Sequence, residues 1–566
     1  MIILGIWDGH NSSATLVKDG KIVASVSEEK FTKRKMEVNF PINSIKYCLS
    51  VLDLKPKEIT NIAISTTDWG STLTRSFSSV KSDFWYERRR HMTDKPITWD
   101  LDLQILNQTG KIKSNKLFRK ISKIALSKYL SKIGFNIKNT KLHLVDHHKA
   151  HAASTYFTSG MNKATCITMD ALGDGYSSTI NICEDNEIKT ISRNPTKDSL
   201  GLFFQEVTSL AGMRILEDEG KIMALSDYAN VEEDFKNPMD KFFTVSGLKI
   251  KSNYPLYKRY QLIKNLHWRN KPENYAFMAQ SALEKFTTKL FENSIKETGI
   301  KDVVWAGGIA SNIKMNMKIK NINDVNKYHV YPDMGDSGLS AGAALFISNK
   351  LFGTKTYKLK DVYLGPKFDD DEILKTLKKF KKKISYEERT DSSKYAGELI
   401  SNNNIVFWFQ DRIETGQRAL GNRSILANAT NPKIKEELNL KIKKRSWYQP
   451  FCPTILKEDA NKFVHEKELD RFMTMGYYLK DESIEKAKSV MNIDKSIRPQ
   501  FLNDENPKYE KLLKQIKKET GNGIVLNTSF NIHGSPIVLS PEDAIKTQLH
   551  TKNKNMFIGN YHIKIK

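Results

Sequence analysis

Short apolar runs broken by polar turns open the chain. Ile2 to Glu29, IILGIWDGHNSSATLVKDGKIVASVSEE, predicts a strand, a polar turn, a second strand, a tight turn at Asp19-Gly20 and a third strand. Thr165 to Arg193, TCITMDALGDGYSSTINICEDNEIKTISR, repeats this plan. Each copy ends its first strand in an aspartate, Asp8 or Asp170, continues through a glycine-containing loop and enters the second strand by a Ser-Ser step. A repeated unit of this kind predicts two related half-domains.

KLHLV (Lys141 to Val145) predicts a strand, Asp146 an N-cap, and the alanine-rich HHKAHAASTYF a helix. DVVWAGGIASNIKMNMKI (Asp302 to Ile319) predicts a buried strand, a Gly-Gly turn and a helix, and PDMGDSGLSAGAALFI (Pro332 to Ile347) a loop and a small-residue helix that can start tightly against a ligand or a strand. Lys111 to Lys132 holds no acidic residue, and Leu117, Ile121, Ile124, Ala125 and Tyr129 recur at helical spacing, which predicts a basic amphipathic helix packed by one side. Strand-like NNIVFWF and GNGIVLNTSF follow a lysine-rich stretch. The expected organisation is an α/β domain over residues 1–355, a linker over 356–380 and a second α/β domain over 381–566.

Composition sharpens this picture in two ways. Net charge is +25, from 90 Lys and Arg against 65 Asp and Glu, which favours anionic partners without choosing among nucleic acid, acidic lipid and phosphorylated small molecules. The four cysteines (Cys48, Cys166, Cys183, Cys452) form no CxxC pair, which fits a reduced cytoplasm and argues against zinc ribbons and disulfide frameworks. The start MIILGIWDGHNSS lacks a basic secretory leader, and no apolar run reaches the ~20 residues of a membrane span, so a cytoplasmic protein is expected.

Three of the twelve histidines fall within VDHHKAHAAS. On a helix His147 and His151 are i and i+4 and share one face, a spacing that suits two nitrogen ligands of one metal, while His148 points elsewhere. Asp170, ending a strand, and Asp336, in GDSG, are the carboxylates placed to join them. Two imidazoles with carboxylates suit Fe(II), Mn(II) or Zn(II). The loops DGHNSS, DALGDG and AGGIASN are short and rich in backbone donors able to cradle phosphate, although none matches a Walker or dinucleotide pattern.

The repeated hairpin, the HxxxH pair, GGIASN and GDSGLSAGAAL resemble the actin-like (ASKHA) ATPase superfamily, and within it the threonylcarbamoyl transferases. FQDRIETGQRALGNRSIL (Phe409 to Leu426), KKRSWYQPFCPTIL (Lys443 to Leu456) and LNTSFNIHGSPIVLSPEDA (Leu526 to Ala544) are similar to the NodU/CmcH family of O-carbamoyltransferases. The resemblance implies an N-terminal actin-like domain and a C-terminal YrdC-like domain. The latter would join carbamoyl phosphate and ATP, with Mg(II), into carbamoyl-adenylate. The former would pass the carbamoyl group to the hydroxyl of a small-molecule acceptor at an Fe(II) site.

It also implies roles. His147, His151, Asp170 and Asp336 would hold the metal. His10 would contact the acceptor hydroxyl or the carbamoyl group, with Lys35 a basic residue near it. Glu219, Lys221, Gly307, Gly308 and Asn312 would line the nucleotide pocket of the first domain. Arg418, Arg423, Lys443, Arg445, Arg498, Asn527 and Ser529 would bind the anions in the second. The chain departs from the family where NIHGSP puts His533 and Ser535 in place of an arginine and a glutamate, and where Asp411, Thr415 and Gln417 differ in DRIETGQRALG. Two rivals stand beside this reading: a tRNA-modifying threonylcarbamoyl-type transferase, which the net charge favours, and an actin-like nucleotide-binding scaffold with lapsed catalytic residues, which NIHGSP favours. Neither a homodimer nor its absence is encoded legibly.

Overall fold

The computed structural model of the protein describes residues 1–76, 115–232 and 234–566. These form two compact units, Met1–Glu28 with Met36–Leu359, and Glu29–Lys35 with Lys360–Lys566.

The first unit is built on two five-stranded sheets. Strands β1 (Ile2–Trp7), β2 (Ser13–Lys18), β3 (Lys21–Ser27), β4 (Asn61–Ser65) and β5 (Lys141–Val145) form one sheet in the order β3-β2-β1-β4-β5. β6 (Lys163–Gly173), β7 (Tyr176–Glu184) and β8 (Glu187–Pro195) join, beyond a separate hairpin of β9 (Phe243–Ser246) and β10 (Lys249–Ser252), with β11 (Val303–Ala306) and β12 (Tyr328–Val330) in the order β12-β11-β6-β7-β8. In each sheet the first three strands run antiparallel as a meander and the last two run parallel to the first. The internal similarity seen between two hairpins therefore extends to two whole sheets of one topology. The Asp19-Gly20 turn takes φ +50° and +79°, the left-handed pair that matches strand twist in a two-residue hairpin.

β1 is buried on both faces, with Ile3, Leu4 and Ile6 fully enclosed. The helix Leu339–Phe352, rich in small residues, packs against β1, β2 and the helix His147–Ser159. Its approach is close: a Cβ at Gly5 would lie 1.9 Å from the Ser340 carbonyl oxygen, and one at Gly342 would lie 1.8 Å from that of Ala150.

Two expectations change. The basic helix spans Lys116–Ile133, capped by Asn115, whose side chain accepts from Phe118 N–H. It buries Ser122, Ala125, Leu126 and Leu130 and leaves Leu117 and Ile124 exposed, so the packed stripe is rotated from the predicted one. Leu126 and Leu130 enter the apolar core with Ile45 and Ile62 and set the buried side, where Ser122 also meets Thr72 (Oγ to Oγ1, 2.8 Å). Residues 111–114 of the predicted helix lie outside the described residues. The stretch 356–380 is not a bare linker. Tyr357 and Leu359 N–H donate to Phe157 and Thr158 carbonyls of the first unit, and Asp370–Lys379 is a helix of the second, started by an Asp369/Glu372 capping box and anchored by buried Ile373 and Leu377.

The second unit holds an eight-stranded mixed sheet. Its members are β13 (Ile384–Glu388), β14 (Val406–Phe409), β15 (Arg423–Ala427), β16 (Cys452–Leu456), β19 (Gln500–Leu502), β20 (Ile524–Ser529), β21 (Asn555–Ile558) and β22 (Tyr561–Ile565), with β17 (Tyr477–Tyr478) and β18 (Ser496–Ile497) a separate pair. The order is β13-β22-β21-β14-β15-β20-β16-β19. Helices Ser392–Ser401 and Pro507–Thr520 bury Ala396, Ile400, Leu512 and Ile516 against Trp408, Leu426 and Val525 of the sheet. The segment Glu29–Lys35 belongs to this unit through Phe31, packed on Ile413, Ile537 and Leu539, and through an ion pair of Lys33 with Asp543. No helix among the described residues is long and apolar enough to cross a membrane.

Candidate functional site

β5 delivers the chain to Asp146, whose carboxylate accepts from Lys149 N–H at 2.9 Å and starts the helix His147–Ser159. That helix is buried nearly all round, so its first turns are fixed by packing. His147 and His151 stack on one face with ring centroids 4.7 Å apart. Asp170 arrives from β6, where the pairing with β7 is irregular between Met169 and Gly173. Its two oxygens accept from Ala171 N–H at 2.6 Å and Gly308 N–H at 2.8 Å. Asp336 arrives from the loop before the helix Leu339–Phe352.

The four side chains close on one point. One ligand atom from each of His147, His151, Asp170 and Asp336 lies within 4.8 Å of the others. His151 Nε2 is 3.3 Å from Asp170 Oδ2 and 3.4 Å from Asp336 Oδ1, and His147 Nε2 is 3.6 Å from Asp336 Oδ1. His147 Nε2, both His151 nitrogens and Asp336 Oδ1 are buried without a hydrogen-bond partner. Buried polar atoms left in that state are costly, and three of them, His147 Nε2, His151 Nε2 and Asp336 Oδ1, lie together where a divalent cation would satisfy them. The N₂O₂ donor set suits Fe(II), Mn(II) or Zn(II).

The charges are strongly coupled. Burial and the neighbouring imidazoles hold His147 well below its ordinary pKa. Burial would lower His151 too, but Asp170 and Asp336 raise it to about 9. Burial works to raise both carboxyls: Asp336 moves up, whereas contact with His151 holds Asp170 well below the carboxylate range.

His10 joins this cluster from the loop after β1, its Nε2 3.3 Å from Asp336 Oδ2 and its carbonyl held by Trp7 Nε1–H at 2.8 Å. His148 does not join it. Its Nδ1 meets Thr168 Oγ1 at 2.8 Å and its Nε2 the Tyr176 carbonyl at 3.1 Å, which uses both ring nitrogens. Gly173 shapes the pocket, since a Cβ there would lie 2.2 Å from His147 Cγ and Cδ2. Gly173→Ala is therefore expected to displace the His147 ring and weaken metal binding about 10-fold or more, read by metal titration of the purified variant.

The second unit gathers cations. Arg418 and Arg445 each lie within electrostatic reach of Arg498 and Cys452, and Lys443 lies within reach of Arg445. Arg498 Nε–H donates to Cys452 Sγ at 3.0 Å. Arg445 is held by Asn439 Oδ1 at 2.7 Å and lies over the Phe451 ring. Lys443 is 3 % exposed and donates to Ser529 and Asn531, through both their carbonyls and their side chains. Burial, Arg445 and Lys35 push its pKa well down. Arg418 Nε is buried without a partner, and burial with Arg498 beside it pushes the guanidinium down to about 9. Guanidinium and ammonium groups gathered in this way can offset the charge of an anion.

Residues 2–345 match the family description "Carbamoyltransferase N-terminus" and residues 397–565 match "Carbamoyltransferase C-terminus". The chain belongs to the carbamoyltransferase family. It is of the NodU/CmcH type that its motifs resemble. An uncharacterized protein of Methanocaldococcus jannaschii is 30% identical over 99% of this chain and 99% of its own length. Nodulation protein NolNO of Sinorhizobium fredii is 29% identical over 98% of this chain and 79% of its own. The 3'-hydroxymethylcephem-O-carbamoyltransferase of Streptomyces clavuligerus is 26% identical over 66% of this chain and 72% of its own.

The remaining expected site residues of this carbamoyltransferase are placed differently from the two clusters. Gly307, at φ +114°, leaves no room for a side chain because a Cβ would lie 2.0 Å from the Met169 carbonyl oxygen, and Gly308 serves Asp170 directly. Asn312 caps the helix Ile313–Lys320 and is paired with Gln280 through both its amide atoms. Lys221 pairs with Asp218 at 3.0 Å, and Glu219 accepts from Leu216 N–H at 2.6 Å. The helices bearing Glu219 and Asn312 both pack on the long helix Pro272–Thr298. Lys35 belongs to the second unit and lies near Lys443.

Arg423 is fully buried with a structural part: its guanidinium holds the carbonyls of Gln410, Asp411 and Asn422 and stacks on Phe409. Asn527 donates to Ala419 O and Thr454 Oγ1, both at 3.1 Å.

Three groups support the site in ways their sequence positions did not reveal. Glu414 accepts from Leu420, Asn422 and Arg423 N–H and so shapes the loop that presents Arg418. Asp174 accepts from Thr67 N–H at 2.7 Å and His147 N–H at 2.8 Å, tying two strand ends together. Asp8 is buried against Arg75 with two contacts of 2.8 Å, so the aspartate that matches Asp170 in the repeat is an ion-pair partner in the first half. The legible signal for Asp174 and Glu414 was their place inside the quoted loops, DALGDG and RIETG. Within the stretch from Thr66 to Thr140, residues 77–114 lie outside the described residues.

Proposed function

We propose that this carbamoyltransferase makes carbamoyl-adenylate in its second, YrdC-like unit and transfers the carbamoyl group to a hydroxyl of a small molecule in its first, actin-like unit. Water cleaves carbamoyl phosphate to carbamate and phosphate. Carbamate then attacks the α-phosphate of Mg(II)-bound ATP, forming carbamoyl-adenylate and releasing pyrophosphate. In the transfer step the acceptor oxygen forms a bond to the carbamoyl carbon, the bond to AMP breaks, and the hydroxyl proton leaves to a base.

The cationic group Arg418, Lys443, Arg445 and Arg498 supports the first half, because the substrates are anions. The observation that carries the second half is the convergence of His147, His151, Asp170 and Asp336 within 4.8 Å. These four residues would hold the metal, Fe(II) by the family resemblance. When bound, it supplies Lewis-acid polarisation of a carbonyl oxygen. His10, 3.3 Å from Asp336, is the group placed to take the acceptor proton, and Asp336 orients its ring. Burial of the cluster keeps water from a labile acyl donor. A hydroxyl acceptor is supported by the name of the Streptomyces clavuligerus relative.

The test is incubation of the purified protein with ATP, isotope-labelled carbamoyl phosphate, Mg(II) and Fe(II), read by mass spectrometry for carbamoyl-adenylate and by ATP–pyrophosphate exchange. Labelled adenylate and exchange that requires carbamoyl phosphate are expected. Exchange that ignores carbamoyl phosphate, or none, would overturn the reading in favour of a nucleotide-binding scaffold. Activity that needs co-purified RNA would overturn it in favour of a tRNA modifier.

A further inference from the structure

Thr66 follows the last residue of β4 and takes φ +73°, a left-handed conformation that a β-branched side chain rarely adopts. It is 2 % exposed. Strain of this kind persists only where the surroundings over-determine it. Here they do so from three sides. Thr66 N–H donates to the Val145 carbonyl at 2.9 Å. Its own carbonyl and that of Ser65 each accept from Arg75 at 2.9 Å, and Arg75 is locked in turn by the buried pair with Asp8. The next peptide N–H, of Thr67, is held by the same Asp174 carboxylate that holds His147 N–H.

This arrangement brings the Thr66 hydroxyl to His147. Oγ1 lies 3.2 Å from His147 Nδ1, while Nε2 of that ring has no hydrogen-bond partner and faces the cluster. A neutral imidazole carries one N–H, and it can present a lone pair at Nε2 only if that proton sits on Nδ1. A hydroxyl oxygen at Nδ1 accepts that proton's hydrogen bond and fixes the ring plane at the same time. We propose that Thr66 is a positioning residue: held in its strained conformation by Val145, by the Asp8–Arg75 pair and, through Thr67, by Asp174, it fixes the tautomer and orientation of His147 so that Nε2 is free to ligate metal. The inference rests on the metal reading of the cluster given above.

It also accounts for features that reading does not use. Arg75, held by Asp8, and Asp174 converge on the peptide units around Thr66. Glycine would take this backbone conformation without strain, so the presence of threonine there points to the side chain as the reason.

The test uses the full chain, with Co(II) as a spectroscopic probe. Wild type, Thr66→Gly, Thr66→Val and Thr66→Ser are titrated with Co(II) while the visible absorption bands are recorded, and thermal melts are run alongside. Thr66→Gly is expected to melt at or above the wild-type temperature, because the strain is relieved, and to bind Co(II) about 10- to 100-fold more weakly with an altered spectrum. Thr66→Val should show the same weakening. Thr66→Ser should restore wild-type affinity and spectrum. Wild-type affinity in Thr66→Gly, or a Thr66→Ser variant as weak as Thr66→Gly, overturns the assignment of the hydroxyl. Failure of the wild type itself to bind Co(II) overturns the metal reading and this inference with it.

Discussion

Substitution of His151 by alanine is expected to stop carbamoyl transfer while ATP–pyrophosphate exchange continues. His151 is the centre of its cluster: its Nε2 is the atom that lies within 3.4 Å of both Asp170 and Asp336. Removing it leaves two buried carboxylates facing one imidazole, a donor set that holds a divalent cation less well. The loss in transfer rate should be on the order of 10²–10³-fold, the range seen when one preorganised electrostatic group is deleted from an active site. In the proposed scheme exchange is carried out by the second unit, whose cationic residues the substitution leaves in place. Stability separates this result from simple misfolding. Wild type should melt higher when metal is added, since a ligand that binds only the folded state stabilises it, and the variant should show little such rise. Loss of exchange together with transfer would show that the two units do not divide the chemistry as proposed.

The sequence carried the local features of this molecule well and the long-range ones poorly. The Asp19-Gly20 turn, the Asp146 cap and the i, i+4 histidines are each set by a few neighbouring residues, and the structure has all three as read. The convergence of Asp170 and Asp336 on that helix was legible because both end elements that the repeat and the small-residue helix had already located. The role of Asp8 was not legible. Its partner Arg75 is far along the chain, and nothing in DGHNSS distinguishes an aspartate that meets an arginine from one, like Asp170, that meets an imidazole. The same limit hid Asp174 and Glu414, whose partners are backbone N–H groups brought in by the fold. Arg423 sits in the same GQRALGNR motif as Arg418, but it opens β15, where its Nη atoms donate to three carbonyls, whereas Arg418 lies on the loop before it. Residue type and motif were shared, and the difference came from the end of a strand.

Arg418→Ala should remove ATP–pyrophosphate exchange by about 10²-fold or more and yet leave the protein as stable as wild type or more so. The opposite signs follow from one cause. Arg418 Nε is buried without a partner, and the groups that act on the guanidinium are its own burial, the like charge of Arg498 and the thiol of Cys452. A charge held in this way costs stability until an anion arrives, so truncation relieves the cost and discards the binding at once. Lys443 provides the contrast. Its ammonium already satisfies Ser529 and Asn531, so Lys443→Met should lower the melting temperature as well as the activity, because those acceptors lose their donor. Phosphate distinguishes the two further. It should raise the melting temperature of the wild type by binding the folded cationic group, and Arg418→Ala should lose most of that rise. An Arg418→Ala protein that is clearly destabilised, or that keeps its phosphate-dependent rise, would mean that the guanidinium is a structural group like that of Arg423. The measurements are melts with and without phosphate beside exchange assays on wild type and both variants, and they separate a residue held for its ligand from one held for its fold.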